Sequence, residues 1–216
     1  MGIFNLDGGI MKGLGKVTDI ICLSVLFVIC SIPVFTMGTA ATALYYTVNK
    51  VVKNDRGYIF REYIAAFKNN FKHATPVWLL VLLLSAILGA DLYIMQVWAE
   101  NGSWLGSFSI VFLVLGAFFV AWILYLFAYM ARFENTRKES MKNAALLMIL
   151  HLPWTLILIG MAVGMSLLLY LIPVSVLFLP GVFTLVENLM LEKIFWKYMS
   201  EEDKAAEQER NQEFKN

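Results

Sequence analysis

The sequence predicts an all-α, polytopic membrane bundle: about five transmembrane helices plus a cytoplasmic amphipathic helix at the interface. Three observations carry this. Five long apolar stretches run through the 216 residues. The loops between them alternate between rich and almost empty in Lys and Arg. The chain is 60% hydrophobic and only 15% charged, with a mean hydropathy of +0.70, whereas soluble domains are about half apolar and a quarter charged. The length suits one membrane domain over residues 1–199, followed by a charged cytoplasmic tail over 200–216.

Crossing the hydrocarbon core takes about 20 mostly apolar residues. The first stretch, residues 17–48, is longer than that. It holds both cysteines, Cys22 and Cys30. They form no CxxC pair and read as small buried apolar side chains. Within it, Pro33 removes a helix hydrogen bond and crowds the preceding turn. The residues after it, Gly38 to Ala43, are all small, as close helix–helix contacts in membranes require. Pro33, Gly38 and Ala41 are therefore the candidate packing residues. A broken helix facing a polar cavity is the sharper alternative. Ala41-Thr42-Ala43 imitates a signal-peptidase site, but the helical pattern continues to Tyr46, which favours an uncleaved span.

Residues 56–75 form the interfacial helix. Ile59, Phe60, Tyr63, Ile64, Phe67 and Phe71 fall on one arc of a helical wheel, and Arg61, Glu62, Lys68 and Lys72 on the other. Three uses fit such a helix: lying in the membrane interface, packing on the protein's own cytoplasmic face, or docking a partner. Phe60, Tyr63, Phe67 and Phe71 are its candidate contacts. Pro76 is expected to end it, with the second span, 77–98, starting directly.

The remaining spans are 105–131, 144–170 and 173–195. Ala99 to Ser103 makes a turn without Lys or Arg, and Pro173 starts a tight hairpin between the last two spans. Basic residues fill the segments 50–72, 132–142 and 193–215. The positive-inside rule puts these in the cytoplasm. The C-terminus is then inside, and five spans put the N-terminus outside. Lys12 and Lys16 oppose that side, and a break with re-entry at Ser31-Ile32-Pro33 would reconcile them. Trp78, Trp98, Trp104 and Trp196 lie near span ends and read as interface anchors. The tail after Ser200 is polar with no apolar stripe and reads as a frayed or disordered extension.

Ionisable and amide side chains inside spans are the candidate functional residues, because their burial in lipid is costly. They are Asp91, His151, Glu187 and Asn188. His151 and Glu187 share a depth in the membrane, where they would serve as a proton relay or as a simple interhelical hydrogen bond. No Walker-type loop, paired-histidine zinc helix or G-x-S-x-G elbow occurs, so no catalytic residue, metal or cofactor is expected. The basic loops suit anionic lipids rather than nucleic acid.

Several motifs are similar to a known family. Phe67-Lys68-Asn69-Asn70-Phe71-Lys72-His73-Ala74-Thr75 before an apolar span resembles the YesL family of bacterial membrane proteins, DUF624. Pro33-Val34-Phe35-Thr36-Met37-Gly38, continuing to Ala43-Leu44-Tyr45, looks like its P-x-x-T-x-G-x-x-x-x-A-L-Y stretch. Lys193 to Tyr198 is similar to its C-terminal pattern. The resemblance implies a multi-span protein of the bacterial cell membrane, often encoded beside carbohydrate ABC importers and sugar-responsive sensors. It implies no established biochemical activity. The expected role is accessory or regulatory to carbohydrate uptake. The expected partners are the bilayer and either ABC importer subunits or a membrane sensor. The alternative is a small transporter or channel using the intramembrane carboxylates.

Overall fold

The computed structural model describes residues 9–101 and 104–213, with side chains from Gly13 to Glu209 except Leu105. Gly102 and Ser103 of the predicted outer turn, Lys215, and the side chains of Lys12 and Arg210 lie outside the described residues. The described residues contain helices and no strands. Eight α-helices follow in order: α1 Gly9–Ser31, α2 Met37–Thr47, α3 Ile59–Glu100, α4 Ser109–Arg132, α5 Arg137–Leu150, α6 Leu152–Leu171, α7 Leu179–Tyr198 and α8 Glu201–Glu213. A multi-span helical bundle is what the composition predicted, and four helical segments are long and apolar enough to cross a membrane: Gly13–Ser31, Ile59–Glu100, Gly106–Arg132 and Leu152–Leu171.

The first predicted stretch is two helices, not one. Pro33 adopts an extended conformation, and a short 3-10 turn, Val34–Thr36, leads into α2. The Thr36 hydroxyl sits 2.6 Å from the carbonyls of both Cys30 and Pro33, so it closes the end of α1. Past α2, one π-helical stretch over Val48–Lys53 continues the chain. It ends in a turn with Asp55 and Gly57 at positive φ. Gly57, at +86°, sits where a side chain would be strained. Lys16 near the start of α1 then meets Asp55 at 3.2 Å. So α1 and α2 form a closed hairpin, and the start of α1 lies at the same end of the bundle as the basic segment 50–72. This overturns the expectation that the two lie on opposite sides, and it removes the conflict with Lys16. Cys22 is exposed rather than buried.

Pro76 does not end a helix. α3 runs unbroken through it for 42 residues, about 63 Å at 1.5 Å per residue, twice the roughly 30 Å hydrocarbon core. The lost bond is compensated from elsewhere: Arg137 at the start of α5 donates to the Lys72 carbonyl at 2.7 Å. That carbonyl is the one a residue at 76 would have bonded.

The fourth predicted span divides at His151, which closes α5 and opens α6. Pro153 explains the division, since its ring cannot continue the preceding helix but suits the first turn of a new one. The Thr155 hydroxyl, 2.7 Å from the Met148 carbonyl, stitches the two helices. The fifth stretch begins as a 3-10 turn, Pro173–Leu177, before α7. α7 is 20 residues long but carries Glu187, Glu192, Lys193 and Lys197 and is not among the four apolar segments. Its polar side chains Glu187, Asn188 and Glu192 are buried against the other helices.

Two apolar clusters hold the bundle. The larger joins α3, α4, α5 and α7 around Tyr125, Leu126 and Phe195. The smaller joins α1, α2 and the first half of α3 around Leu23, Leu44, Val48 and Tyr63. α2 lies antiparallel to α3: Trp78 donates to the Val34 carbonyl, Thr39 pairs with Thr75, and Lys50 pairs with Glu62. Trp78 is thus a packing residue bonded to the hairpin, set edge-on to Phe127, rather than an interface anchor. Trp98 and Trp104 are exposed, as anchors would be.

Candidate functional site

The chemistry in this molecule sits in two adjoining places along α7. The first is an ionic cluster at the basic end. Arg132 is the last residue of α4, where a cation complements the helix dipole. Its Nε lies 3.2 Å from Glu192 Oε2, an ion pair without hydrogen-bond alignment. Its Nη2 pairs with Glu207 of α8 and lies 3.4 Å from the Met199 sulfur. Arg56 approaches the other Glu207 oxygen at 4.0 Å. The Tyr45 hydroxyl donates to Glu192 at 3.3 Å. These side chains are all nearly buried. Lys53 stands beside them. Burial pulls its ammonium below the ordinary lysine range, while the Glu192 carboxylate acts in the other direction. Balanced charges of this kind survive burial because each is paired.

The cluster also orders the tail. α8 starts with a side-chain cap: the Ser200 hydroxyl accepts from the Asp203 N–H at 3.1 Å. Glu201, Glu202 and Asp203 fill the first turn, where negative charge is stabilising. Glu207 then points inward and is 4% exposed. The expected frayed extension is a docked helix. The Ser200-Glu201-Glu202-Asp203 run was the available signal, since a capping residue followed three positions on by an acid marks a helix start.

The second place is a cavity of about 260 Å³ lined by α1, α2, α4, α6 and α7. Glu187 lines it and is 5% exposed. Among the described residues Glu187 has no hydrogen-bond or ion-pair partner. Phe27, Tyr45, Phe127 and Phe183 supply aromatic walls, and Thr184 and Ser166 add hydroxyls. Next along the helix, Asn188 is fully buried, and neither of its amide atoms finds a partner among the described residues.

Residues 20–92 match a family model, DUF624, described as a protein of unknown function. Over that region the chain is similar to DUF624 proteins. The DUF624 segment takes in most of α1, the whole of α2 and most of α3. It therefore contains the hairpin and the stretch around Phe67 to Thr75 on which the resemblance rested. The Lys193 to Tyr198 pattern lies beyond it. No curated protein and no solved structure matches the chain.

Gly38, Ala41 and Pro33 all lie within the matched segment. A Cβ added at Gly38 would come within 2.6 Å of the Trp78 Cβ and 2.8 Å of the Phe127 ring. Ala41 is half-buried and reaches the same cavity as Glu187. Pro33 occupies the turn of the hairpin. The aromatic arc of α3 divides. Tyr63 is fully buried, with its hydroxyl donating to the Ala40 carbonyl at 3.4 Å, and Phe67 is half-buried. Phe60, at 67% exposed, and Phe71 face outward.

His151 and Glu187 are not brought together. The His151 ring stands edge-on to Tyr198, and its Nδ1 is 3.2 Å from the Leu147 carbonyl. Tyr198 lies about three turns beyond Glu187 on α7, so His151 and Glu187 stand at different depths and the predicted relay pair does not form. Asp91 is half-buried on α3 and does not line the Glu187 cavity. Of the four predicted polar residues, only Glu187 and Asn188 belong to one buried site.

Proposed function

We propose that this protein is an accessory or regulatory component of carbohydrate uptake in the bacterial cell membrane, acting beside ABC importer subunits or a membrane sensor and not as an enzyme. The carbohydrate link is supported by the resemblance of its motifs to the YesL family. The accessory role is supported by one structural observation above all. α3 is a continuous rod that carries exposed Tyr58, Phe60 and Phe71 beside Arg61, Lys68 and Lys72. A rigid helix with an aromatic and basic outer face suits a docking surface coupled to the membrane bundle.

The orientation belongs to the same proposal. Arg132, Arg137, Lys53, Arg56 and Lys72 come from two of the three basic segments and gather at one end. The positive-inside rule makes that end cytoplasmic, with the C-terminal α8 on the same side.

Crosslinking in native membranes followed by purification tests this reading. Importer or sensor subunits should be recovered with the wild-type chain and lost with Phe60→Ser plus Phe71→Ser, both of which alter the outer face and leave buried Tyr63 in place. The Glu187 cavity favours a second reading, a carrier in its own right. Purified protein in liposomes should then move sugar or protons, and Glu187→Gln should stop it. Such flux would overturn the accessory reading.

A further inference from the structure

We propose that the Glu187 cavity is a binding site for a small lipophilic organic cation, an alkyl- or arylammonium, taken up from the lipid side between α4 and α6.

The recognition chemistry is specific. Glu187 is a buried carboxylate with no cationic or hydrogen-bonding partner among the described residues, and it lines the space rather than packing into protein. Phe27, Tyr45, Phe127 and Phe183 surround the same space. Aromatic faces attract ammonium groups through their ring quadrupole, most strongly when water is excluded. A carboxylate with aromatic walls therefore complements a cation with an apolar body. A neutral sugar would need many more hydrogen-bonding groups than Thr184, Ser166 and the Tyr45 hydroxyl provide, and an anion would face the carboxylate.

Size and access agree. A cavity of about 150 Å³ takes benzene, so about 260 Å³ leaves room for one ring and its ammonium. A second space of about 310 Å³ lies between α4 and α6, lined by Ala117, Val120, Ile159 and Val163, and shares Ala162 and Ser166 with the cavity. Its other lining residues are apolar or small, and Val120, Val163 and Leu167 are exposed on the lipid-facing surface. The route to Glu187 thus runs from the bilayer, which selects ligands that partition into lipid. Binding of such a cation is compatible with the accessory reading, and under the carrier reading it leaves protons rather than sugar as the species moved at this cavity.

Benzyltrimethylammonium, whose charge is independent of pH, is the probe. Titrated calorimetrically into the purified full-length protein in nanodiscs, it should bind saturably at one site. Glu187→Gln should weaken it by at least about tenfold, the scale of losing one desolvated charge contact, while neutral neopentylbenzene, its uncharged isostere, should bind both proteins alike. A variant-free measurement guards against misfolding of Glu187→Gln. Dicyclohexylcarbodiimide, a lipophilic carboxyl reagent, should modify Glu187 by peptide mass spectrometry, and saturating benzyltrimethylammonium should protect it. No saturable binding, equal affinity in the two proteins, or modification unaffected by the cation would each overturn the proposal.

Discussion

Arg137 donates a 2.7 Å hydrogen bond to the backbone carbonyl of Lys72, the carbonyl that Pro76 leaves without its helical partner. A proline inside a helix costs about 3 kcal/mol or more through the missing N–H and the steric clash. Here a guanidinium from another helix takes over the hydrogen bond, and α3 continues into the membrane. The same contact ties α5 to the point where α3 enters the bundle.

A double-mutant cycle isolates this substitution of partners. Arg137→Ala should destabilise the protein by about 1 kcal/mol, the net worth of a hydrogen bond at a site open to water. In a Pro76→Ala background the residue at 76 supplies its own N–H, so Arg137→Ala should cost close to nothing. Thermal unfolding in detergent reads both. Equal costs in the two backgrounds would show that Arg137 acts independently of Pro76.

Gly38 sets how closely α2 approaches α3 and α4. Trp78 cannot easily yield to a new methyl, since its indole is bonded to Val34 and packed on Phe127. Gly38→Ala should therefore cost about 1–3 kcal/mol, the range for overpacking a filled contact, and Gly38→Leu more. Unchanged unfolding temperatures for both would remove the close approach from the account.

Much of this was legible in the sequence. The apolar stretches and the small residues after Pro33 follow from local rules, the break at Pro33 stood only as an alternative to one long span, and Glu187 stood out as a carboxylate in an apolar run. What escaped was tertiary. Pro76 reads as a stop because the compensating guanidinium lies 65 residues away. Arg132 reads as a mark of sidedness and Glu207 as part of a polar tail, whereas their pairing depends on how α4, α7 and α8 meet. The arc from Ile59 to Phe71 marked a helical segment and left open what covers it; Tyr63 is buried while Phe60 and Phe71 face outward, because periodicity does not say how many neighbours pack on a face. His151 and Glu187 fail as a pair for a related reason: the apolar stretch divides at His151, which leaves it beside Tyr198, about three turns along α7 from Glu187.

The hairpin of α1 and α2 makes a topological claim that labelling can settle. Single cysteines at positions 16, 138 and 197, in a chain lacking Cys22 and Cys30, should be shielded from an impermeant reagent in intact cells. A cysteine at 101 should be labelled. Labelling at 16 together with 101, with 138 shielded, would mean that α1 and α2 do not return to one side and that the Lys16 to Asp55 contact is not formed in the membrane.

The ionic cluster separates the cost of breaking a buried pair from its worth. Arg132→Leu leaves Glu192 and Glu207 buried without their main cation and should cost about 3–5 kcal/mol, the range for an uncompensated buried charge. Replacing Arg132 and Glu192 together by leucine removes one charge of each sign and leaves Glu207 beside Arg56, so it should recover part of that loss. Glu207→Gln should have a different signature. The core pair of Arg132 and Glu192 survives, so the unfolding temperature should fall only slightly, but α8 loses its anchor. Limited proteolysis should then cut after Ser200 much faster than in wild type while the membrane helices stay intact. If Arg132→Leu is no worse than the double replacement, the charges do not depend on one another. If Glu207→Gln leaves the cutting rate unchanged, α8 is held by contacts other than Arg132.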